Sequence, residues 1–269
     1  MTELYFVKLG GSLITDKDTP NTARLPILQR LAEEIAAARN ARPDLEILIG
    51  HGSGSFGHVA AKKHGTRAGV QSSAAWRGFA EVWQTARTLN QIVIESLSQA
   101  GLPVIAFPPS ACVLARAGSV LHWDVSLIRR ALQAGLVPVI QGDVAFDETL
   151  GGTILSTEDL FFYLAPILQP DRILLTGIEP GIWADFPART QLITNLTPQT
   201  LPALRQQLHG SASTDVTGGM EAKVERMMSL LQAPGKLQIA IFSGLQPGLL
   251  TQALTGSLPG SVLSHFPIH

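Results

Sequence analysis

The pattern of hydrophobic positions alternates between two periods along the chain. Short apolar runs rich in Leu, Ile and Val predict buried strands, and longer segments with apolar residues three or four positions apart predict helices. The predicted strands are Leu4–Leu9, Leu45–Ile49, Pro103–Phe107, Val137–Gln141, Arg172–Leu175 and Leu237–Phe242. The predicted helices are Arg24–Arg39, Ser73–Ala100, Asp124–Ala134, Asp159–Leu168, Thr197–Gln207 and Gly219–Gln232.

This regular alternation of strands and helices predicts the fold class. It is typical of a mainly parallel sheet with helices on both faces. Apolar runs such as ILI and PVI fit strands that are buried on both faces. No internal repeat or linker interrupts the pattern. We therefore expect an α/β protein, a three-layer α/β/α sandwich around a mainly parallel central sheet, formed as a single domain by residues 1–269.

Composition restricts the kinds of partner. The chain has 20 Lys and Arg against 21 Asp and Glu, a net charge of −1, and so lacks the basic excess that nucleic-acid binding requires. Hydrophobic residues make up 45% and charged residues 15%, a balance that favours a large core over disorder. A single cysteine, Cys112, excludes an intramolecular disulfide bond and a cysteine-rich zinc site. We expect Cys112 to be buried.

The N-terminal sequence bears on location. Its first residues are typical of a strand and not of a signal peptide. No apolar stretch reaches the roughly 18 residues of a membrane-spanning helix. We therefore expect a cytoplasmic protein with no membrane partner.

Four polar segments, three of them glycine-rich, follow predicted strands or open a predicted helix: Lys8–Ser12, His51–His58, Gly142–Asp143 and Asp215–Lys223. In a parallel sheet, ligands bind beyond the carboxyl ends of the strands. Glycines there allow close backbone approach and leave N–H groups free to bind an anion. A carboxylate at a strand end, as at Asp143, is suited to bind Mg²⁺ indirectly or to orient a lysine. None of the segments has the P-loop pattern.

The charged side chains in and near these segments each have a functional and a structural interpretation. Lys8, Lys17 and Lys223 either bind an anion or are exposed lysines. His58, expected at the start of a helix, is suited to donate to a phosphate oxygen. From spacing alone, Asp159 is best interpreted as an acid at a helix start. Three glycine-rich anion sites and three lysines together favour phosphoryl transfer, which depends on positioning and charge neutralisation.

At this point the residues resemble a known family. The segments KLGGSLITDK, HGSGSFGH, GDVAFD with TILSTEDL, and DVTGGMEAK are similar in order and spacing to those of the isopentenyl phosphate kinases, which belong to the amino acid kinase superfamily. The resemblance runs from about Leu4 to Gly244. It implies an α/β/α sandwich, a homodimer, and transfer of phosphate from ATP to isopentenyl phosphate, with Mg²⁺ bound to the phosphates and not to a protein site. It also implies an acceptor-binding N-terminal part and a nucleotide-binding C-terminal part.

The resemblance also implies roles for individual residues. The residues matched to the nucleotide side are Lys8, Gly10, Gly11, Ser12, Gly54, Gly219 and Lys223. The residues matched to the acceptor phosphate are Ser53, His58 and Thr157. Lys17 matches the lysine that stabilises the transition state. Asp159 matches the acid that orients the lysines, in place of the helix-start role that spacing favours.

Two departures from the family pattern bear on substrates. Ser53 stands where many members have glycine. LLTGIEPGIWADF stands where the family usually reads close to TDVDGIY. Gly177 therefore replaces an aspartate near the nucleotide base, which leaves the nucleotide preference open.

The acceptor's apolar tail has a candidate wall. Trp76, Phe79 and Trp83 recur at helical spacing, with Val82 and Ala86 beside them. They either pack in the core or line a pocket for a short isoprenoid chain, in which Phe79 and Trp83 would be binding residues.

Two other functions remain as alternatives. Fosfomycin kinase shares the KLGGS and GSFGH-like motifs, and its small polar substrate would need less aromatic surface; other small phosphate or phosphonate acceptors belong to the same alternative. A non-catalytic nucleotide sensor built on the same fold is the second. The presence of Lys8, Lys17, His58, Asp159 and Lys223 argues against the sensor.

Overall fold

The computed structural model describes residues 2–202, 219–232 and 235–267. The strands in these ranges are β1 (Glu3–Leu9), β2 (Leu45–His51), β3 (Val104–Ala106), β4 (Val113–Arg116), β5 (Ser119–Trp123), β6 (Val137–Gln141), β7 (Asp143–Asp147), β8 (Gly151–Leu155), β9 (Arg172–Gly177), β10 (Ile182–Trp183), β11 (Leu192–Ile193), β12 (Asn195–Leu196), β13 (Gln238–Ser243) and β14 (Ser261–Ser264). The helices are α1 (Gly11–Ile14), α2 (Leu25–Ala41), α3 (Gly54–His64), α4 (Ser73–Gln99), α5 (Pro109–Cys112), α6 (Ser126–Gln133), α7 (Thr157–Leu168), α8 (Gly219–Ser229) and α9 (Leu249–Thr255), with a 3₁₀ turn at Thr66–Ala68.

The main sheet has eight strands in the order β12-β14-β13-β9-β1-β2-β6-β3. Neighbouring strands are parallel except for β13 and β14. The central strands β9, β1, β2 and β6 therefore end side by side at one edge of the sheet. Three of the polar segments singled out above follow β1, β2 and β6, so the fold brings them together.

Alternation along β1 divides the core into two layers. Tyr5, Val7 and Leu9 pack with residues of α2, α4 and α9 on one face. Leu4 and Phe6 pack with residues of α6, α7 and α8 on the other. The two apolar layers confirm the expected α/β/α sandwich, because strands buried on both faces need helices on both sides.

Several parts of the structure differ from the pattern-based prediction. A second sheet, in the order β5-β4-β7-β8, was not predicted, since its short strands carry too few apolar positions to show a period. Helix α7 begins at Thr157, two residues before the predicted start. The helix predicted at 197–207 lies partly outside the described residues. Cys112 is exposed at the end of α5, so the expectation of burial was wrong. Within the described ranges, no helix is long and apolar enough to span a bilayer.

Candidate active site

The turns that follow β1 and β2 touch one another through their backbones. A Cβ on Gly11 would lie 2.4 Å from the backbone N of Gly54, and a Cβ on Gly52 would lie 2.9 Å from the backbone N of Gly11. Gly54 also has a φ of +49°, which favours glycine. On the other side, the N–H of Gly10 donates to the carbonyl of Thr176 at 2.9 Å. Side chains are thus excluded at these glycine positions, and backbone groups can approach a ligand there.

Lys8, Glu158 and Lys223 form a charge cluster beside this junction. Lys8 is only 8% exposed, and its Nζ lies 2.7 Å from Oε1 of Glu158. The Nζ of Lys223 lies 3.9 Å from the same oxygen. Burial raises the pKa of Glu158, but the charges of Lys8 and Lys223 outweigh it and hold the pKa below its ordinary value. The carboxylate is therefore ionised and orients both lysines.

Local structure explains why Lys8 reaches α7. Side chains alternate along a strand, so Lys8 shares a face with Phe6. The ring of Phe6 lies 5.0 Å from that of Phe161 on α7. Glu158 lies in the first turn of α7 and faces the same end of the sheet.

The expectation that Asp159 orients the lysines was wrong. Its Oδ2 accepts hydrogen bonds from the backbone N and the Oγ of Ser156, both at 2.8 Å, and its own N–H donates to that Oγ. Its Oδ1 lies 2.6 Å from Nη1 of Arg226. Asp159 thus completes a capping box, the helix-start role that spacing favoured. Glu158 is rotated by about 100° around the helix axis and contacts the lysines instead.

A narrow cleft opens beside the second turn, and we refer to it as the His58 cleft. His58 lies one turn inside α3, not at its start. The residues that line the cleft are Ser53, Gly57, His58, Ala61, Arg67, Val82, Ala86, Gly142, Asp143 and Ile154. The lining combines polar side chains, those of Ser53, His58, Arg67 and Asp143, with apolar side chains of α4 and β8. This combination suits a ligand with an anionic head and a short apolar tail.

His51 lies behind the turn and ties it to two helices. Its ring is completely buried, with Nε2 3.0 Å from Oδ1 of Asn90 on α4 and Nδ1 3.2 Å from the carbonyl O of Gly52. Burial lowers its pKa, which favours a neutral ring. The Oγ1 of Thr157 donates to the His51 carbonyl at 2.7 Å. Thr157 is therefore fixed at the first position of α7, where a helix leaves backbone N–H groups unpaired.

Asp143 lies in the wall of the His58 cleft. Its Oδ1 accepts from the N–H of Val144 at 2.8 Å and its Oδ2 from that of Ser110 at 3.3 Å. Burial raises the pKa of Asp143 to about 6. These contacts hold the carboxyl through the backbone, and no ion pair joins it to a lysine of the described residues.

The aromatic stripe on α4 does not form the expected wall. Phe79 is 8% exposed and packs against the rings of Trp76 and Phe146, at centroid distances of 5.1 and 5.4 Å. Trp83 is 39% exposed, with the guanidinium of Arg87 5.8 Å from its ring. The expectation that Phe79 and Trp83 line the acceptor pocket was wrong, because Phe79 turns into a small apolar core and Trp83 faces outward.

The remaining predicted residues are placed as follows. Lys17 is exposed in the loop after α1, Ser12 is half-buried within α1, and Gly219 begins α8. Lys17 makes no side-chain hydrogen bond or ion pair with the part of the chain that the structure describes. Gly177 ends β9, and no atom lies within 4 Å of the position a Cβ would take. A side chain at this position would therefore fit.

Two residues at the site, Glu158 and Arg67, were not singled out from the sequence. The S-T-E-D pattern marks a capping box, and this signal assigns Asp159 to the helix start and leaves Glu158 for the lysines. Arg67, which lines the His58 cleft, lies in an irregular loop, and no pattern identifies it.

Comparisons with known proteins agree with this geometry. Residues 3–243 match the model of the amino acid kinase family. The isopentenyl phosphate kinase of Methanocaldococcus jannaschii is 32% identical over 267 residues, which cover 96% of this chain and 97% of the relative. That of Methanothermobacter thermautotrophicus is 34% identical and covers 94% of this chain and 96% of the relative.

A solved structure described as an isopentenyl phosphate kinase is 27% identical to the chain. It superposes with a TM-score of 0.77, over 97% of this chain and all of the other. Full-length similarity in sequence and in fold shows that the chain belongs to the amino acid kinase family and, within it, to the isopentenyl phosphate kinases.

Proposed function

We propose that this chain transfers the γ-phosphate of ATP to isopentenyl phosphate and forms isopentenyl diphosphate and ADP. An oxygen of the acceptor phosphate bonds to the γ-phosphorus as the bond to the β–γ bridging oxygen breaks. The observation that carries the proposal is the arrangement of two sites at one junction. The Lys8–Glu158–Lys223 cluster and the His58 cleft both lie beside the two glycine turns, and Arg67 lines both the cleft and the groove that contains the cluster.

The chain's own groups divide into a nucleotide side and an acceptor side. Lys8 and Lys223, oriented by Glu158, neutralise charge on the ATP phosphates and on the group in transfer. The residues that bring backbone N–H groups to these phosphates are Gly11, Ser12, Gly54 and Gly219. The N–H of Gly10 donates to Thr176, so Gly10 contributes by letting the turn approach the phosphates closely. Lys17 extends from the loop after α1 toward the transferred group and stabilises the transition state. Within one domain, the N-terminal part binds the acceptor and the C-terminal part binds the nucleotide.

The acceptor occupies the His58 cleft. Ser53 and Thr157 contribute backbone N–H groups to the acceptor phosphate, and His58 donates a hydrogen bond from its ring. No general base is needed, because the attacking oxygen is already anionic. Val82, Ala86 and Ile154 contact the isoprenoid tail, which replaces the aromatic wall expected from the sequence.

Mg²⁺ fits this site as an ion that is bound by the phosphates of the nucleotide. The described part of the chain contains no group of three or more His, Cys, Asp or Glu side chains that would hold a metal ion. Mg²⁺ typically keeps several waters and binds substrate phosphates with few protein ligands. When bound, it neutralises phosphate charge and supports an in-line transfer.

We also propose that the chain acts as a homodimer. Strand β3 is an edge of the main sheet, and Ile105 on it is 40% exposed. An exposed apolar edge strand is a ready surface for pairing with a second copy. Light scattering on the purified chain and on Ile105→Lys tests this, since a monomeric parent would contradict the dimer.

A screen of acceptors tests the activity. The full chain is incubated with ATP, Mg²⁺ and one acceptor at a time, namely isopentenyl, dimethylallyl or geranyl phosphate, or fosfomycin. ADP release gives kcat/KM, and phosphorus NMR identifies the diphosphate product. The highest kcat/KM for isopentenyl phosphate supports the proposal. A higher kcat/KM for fosfomycin would identify fosfomycin as the preferred acceptor. Absence of turnover with every acceptor would favour a non-catalytic nucleotide sensor.

A further inference from the structure

Arg67 places a guanidinium in the wall of the His58 cleft. It lies in the 3₁₀ turn between α3 and α4. Its side chain also lines the groove between α7 and α8 that contains Glu158 and Lys223. Arg67 therefore lies where the acceptor side meets the cluster that faces the nucleotide.

The backbone of Arg67 is fixed, whereas its guanidinium is only partly paired. The Oγ1 of Thr153 on β8 donates to the Arg67 carbonyl at 3.1 Å. Nη1 of Arg67 is buried and has no hydrogen-bond partner among the residues that the structure describes. A buried donor without an acceptor costs free energy, so a ligand that supplies an acceptor there gains stabilisation.

Asp159 does not account for this guanidinium. Its Oδ2 lies 3.6 Å from Nη2 of Arg67, beyond hydrogen-bond distance. Asp159 is already held by Ser156 and by Arg226, which lies closer at 2.6 Å. Asp159 therefore supplies no hydrogen-bond acceptor to Nη1 of Arg67.

The charged residues that line the cleft also favour a ligand that supplies hydrogen-bond acceptors. Among the residues that line it, Asp143 is acidic and Arg67 is the one arginine or lysine. The carboxyl of Asp143 does not attract a phosphate dianion, so Arg67 supplies the fixed positive charge of the lining. A guanidinium presents a planar fork of N–H donors that matches two phosphate oxygens.

We propose that Arg67 binds the acceptor phosphate together with His58, and that it selects a phosphate monoester as the acceptor. This inference rests on the proposed function, because it assigns a further binding residue to the same reaction. We assign Arg67 to the acceptor because it shares the cleft with Ser53 and His58, and the KM for ATP tests this assignment.

The test uses two variants of Arg67 in the full chain. Arg67→Met removes charge and donors at similar length, and Arg67→Lys keeps the charge without the fork. We expect Arg67→Met to raise the KM for isopentenyl phosphate roughly 10- to 100-fold and to leave the KM for ATP within about twofold. Arg67→Lys, which should preserve the fold, should show a smaller rise. Calorimetric titration with isopentenyl phosphate should give the same order of affinities.

Arg226→Met is the matched control, because it removes the closer partner of Asp159 and lies outside the cleft. It should lower the melting temperature without changing the acceptor KM. An unchanged acceptor KM in both Arg67 variants, with an active parent, would overturn the inference and leave the proposed function intact. An equal rise in the acceptor KM of Arg226→Met would also overturn it, since both arginines would then act by holding Asp159 in place. A parent without turnover of isopentenyl phosphate would overturn the proposed function itself.

Discussion

The Nζ of Lys8 lies 2.7 Å from Oε1 of Glu158, although 150 residues separate the two in sequence. Both are buried, and a buried charge that loses its partner is costly, by about 3–5 kcal/mol. The ion pair fixes the direction of the Lys8 side chain, which we expect to bind the nucleotide.

Glu158→Gln should lower both kcat and stability. The neutral amide removes the carboxylate charge that lies beside both Lys8 and Lys223, so their positions relax. Asp159→Asn serves as the comparison, since it weakens a helix cap worth about 0.5–2 kcal/mol and should change kcat less. Steady-state kinetics and melting temperatures of both variants measure this. Equal losses of kcat would contradict the assignment of Glu158, and not Asp159, to orienting the lysines.

His58→Ala should impair use of the acceptor more than binding of ATP. Loss of a hydrogen bond to phosphate should cost about 2–4 kcal/mol in kcat/KM for isopentenyl phosphate. Steady-state kinetics with each substrate varied in turn measures this. His122→Ala, on exposed β5, is the control and should behave like the parent; a His58→Ala variant with unchanged kcat/KM would refute the role.

Lys17→Ala should reduce kcat roughly 100-fold if its ammonium stabilises the transition state. Its stability should stay within about 0.5 kcal/mol of the parent, because Lys17 is exposed. Lys62→Ala, an exposed lysine on α3, should leave both quantities unchanged. Full activity of Lys17→Ala would mean that this lysine is simply solvated.

Val82→Ala should increase the preference for longer acceptors. Removing two methyl groups from the cleft wall opens space for the tail. We therefore expect the ratio of kcat/KM for geranyl phosphate to kcat/KM for isopentenyl phosphate to increase about tenfold. Phe79→Ala should instead cost about 3–5 kcal/mol of stability and keep the ratio. A ratio that changes in Phe79→Ala but not in Val82→Ala would restore the aromatic wall.

Asp143→Asn should change the pH dependence of stability. Burial raises the Asp143 pKa to about 6, whereas an unfolded aspartate titrates near 3.9. Below about pH 4 the carboxyl is protonated in both states. Between about pH 4 and 6 the unfolded state ionises first, and the parent loses roughly 3 kcal/mol, a loss that is complete above pH 6.

The variant lacks this ionisation, so its stability relative to the parent should rise from about pH 4 to 6 and then stay constant. Urea unfolding of both proteins at several pH values measures the difference. A difference independent of pH would show that Asp143 has an ordinary pKa.

The sequence predicted the main strands and helices well, because strands buried on two faces and amphipathic helices have clear periods. It also predicted that the glycine-rich segments follow strands at the ends where ligands bind, but the order of the strands, which brings two of the turns into contact, came from the structure. Which of two adjacent acids faces a lysine depends on helix rotation, and only the capping box distinguished Glu158 from Asp159. The α4 stripe identified a face of the helix, but not that Val82, which packs in the same small core as Phe79, also lines the cleft.

The backbone contact between Gly11 and Gly54 has a consequence for how acceptors can change. Because the two turns meet through backbone atoms at Gly11 and Gly54, and the Thr15 hydroxyl accepts a hydrogen bond from the N–H of Ser55 beside them, main-chain contacts largely set the distance from donor to acceptor phosphate in the proposed reaction. Substitutions in α4 or β8 can then alter which tail fits without altering that distance. Reaction geometry and substrate choice are thus encoded in separate parts of the molecule, so acceptor specificity can diverge while the rate of the chemical step is retained.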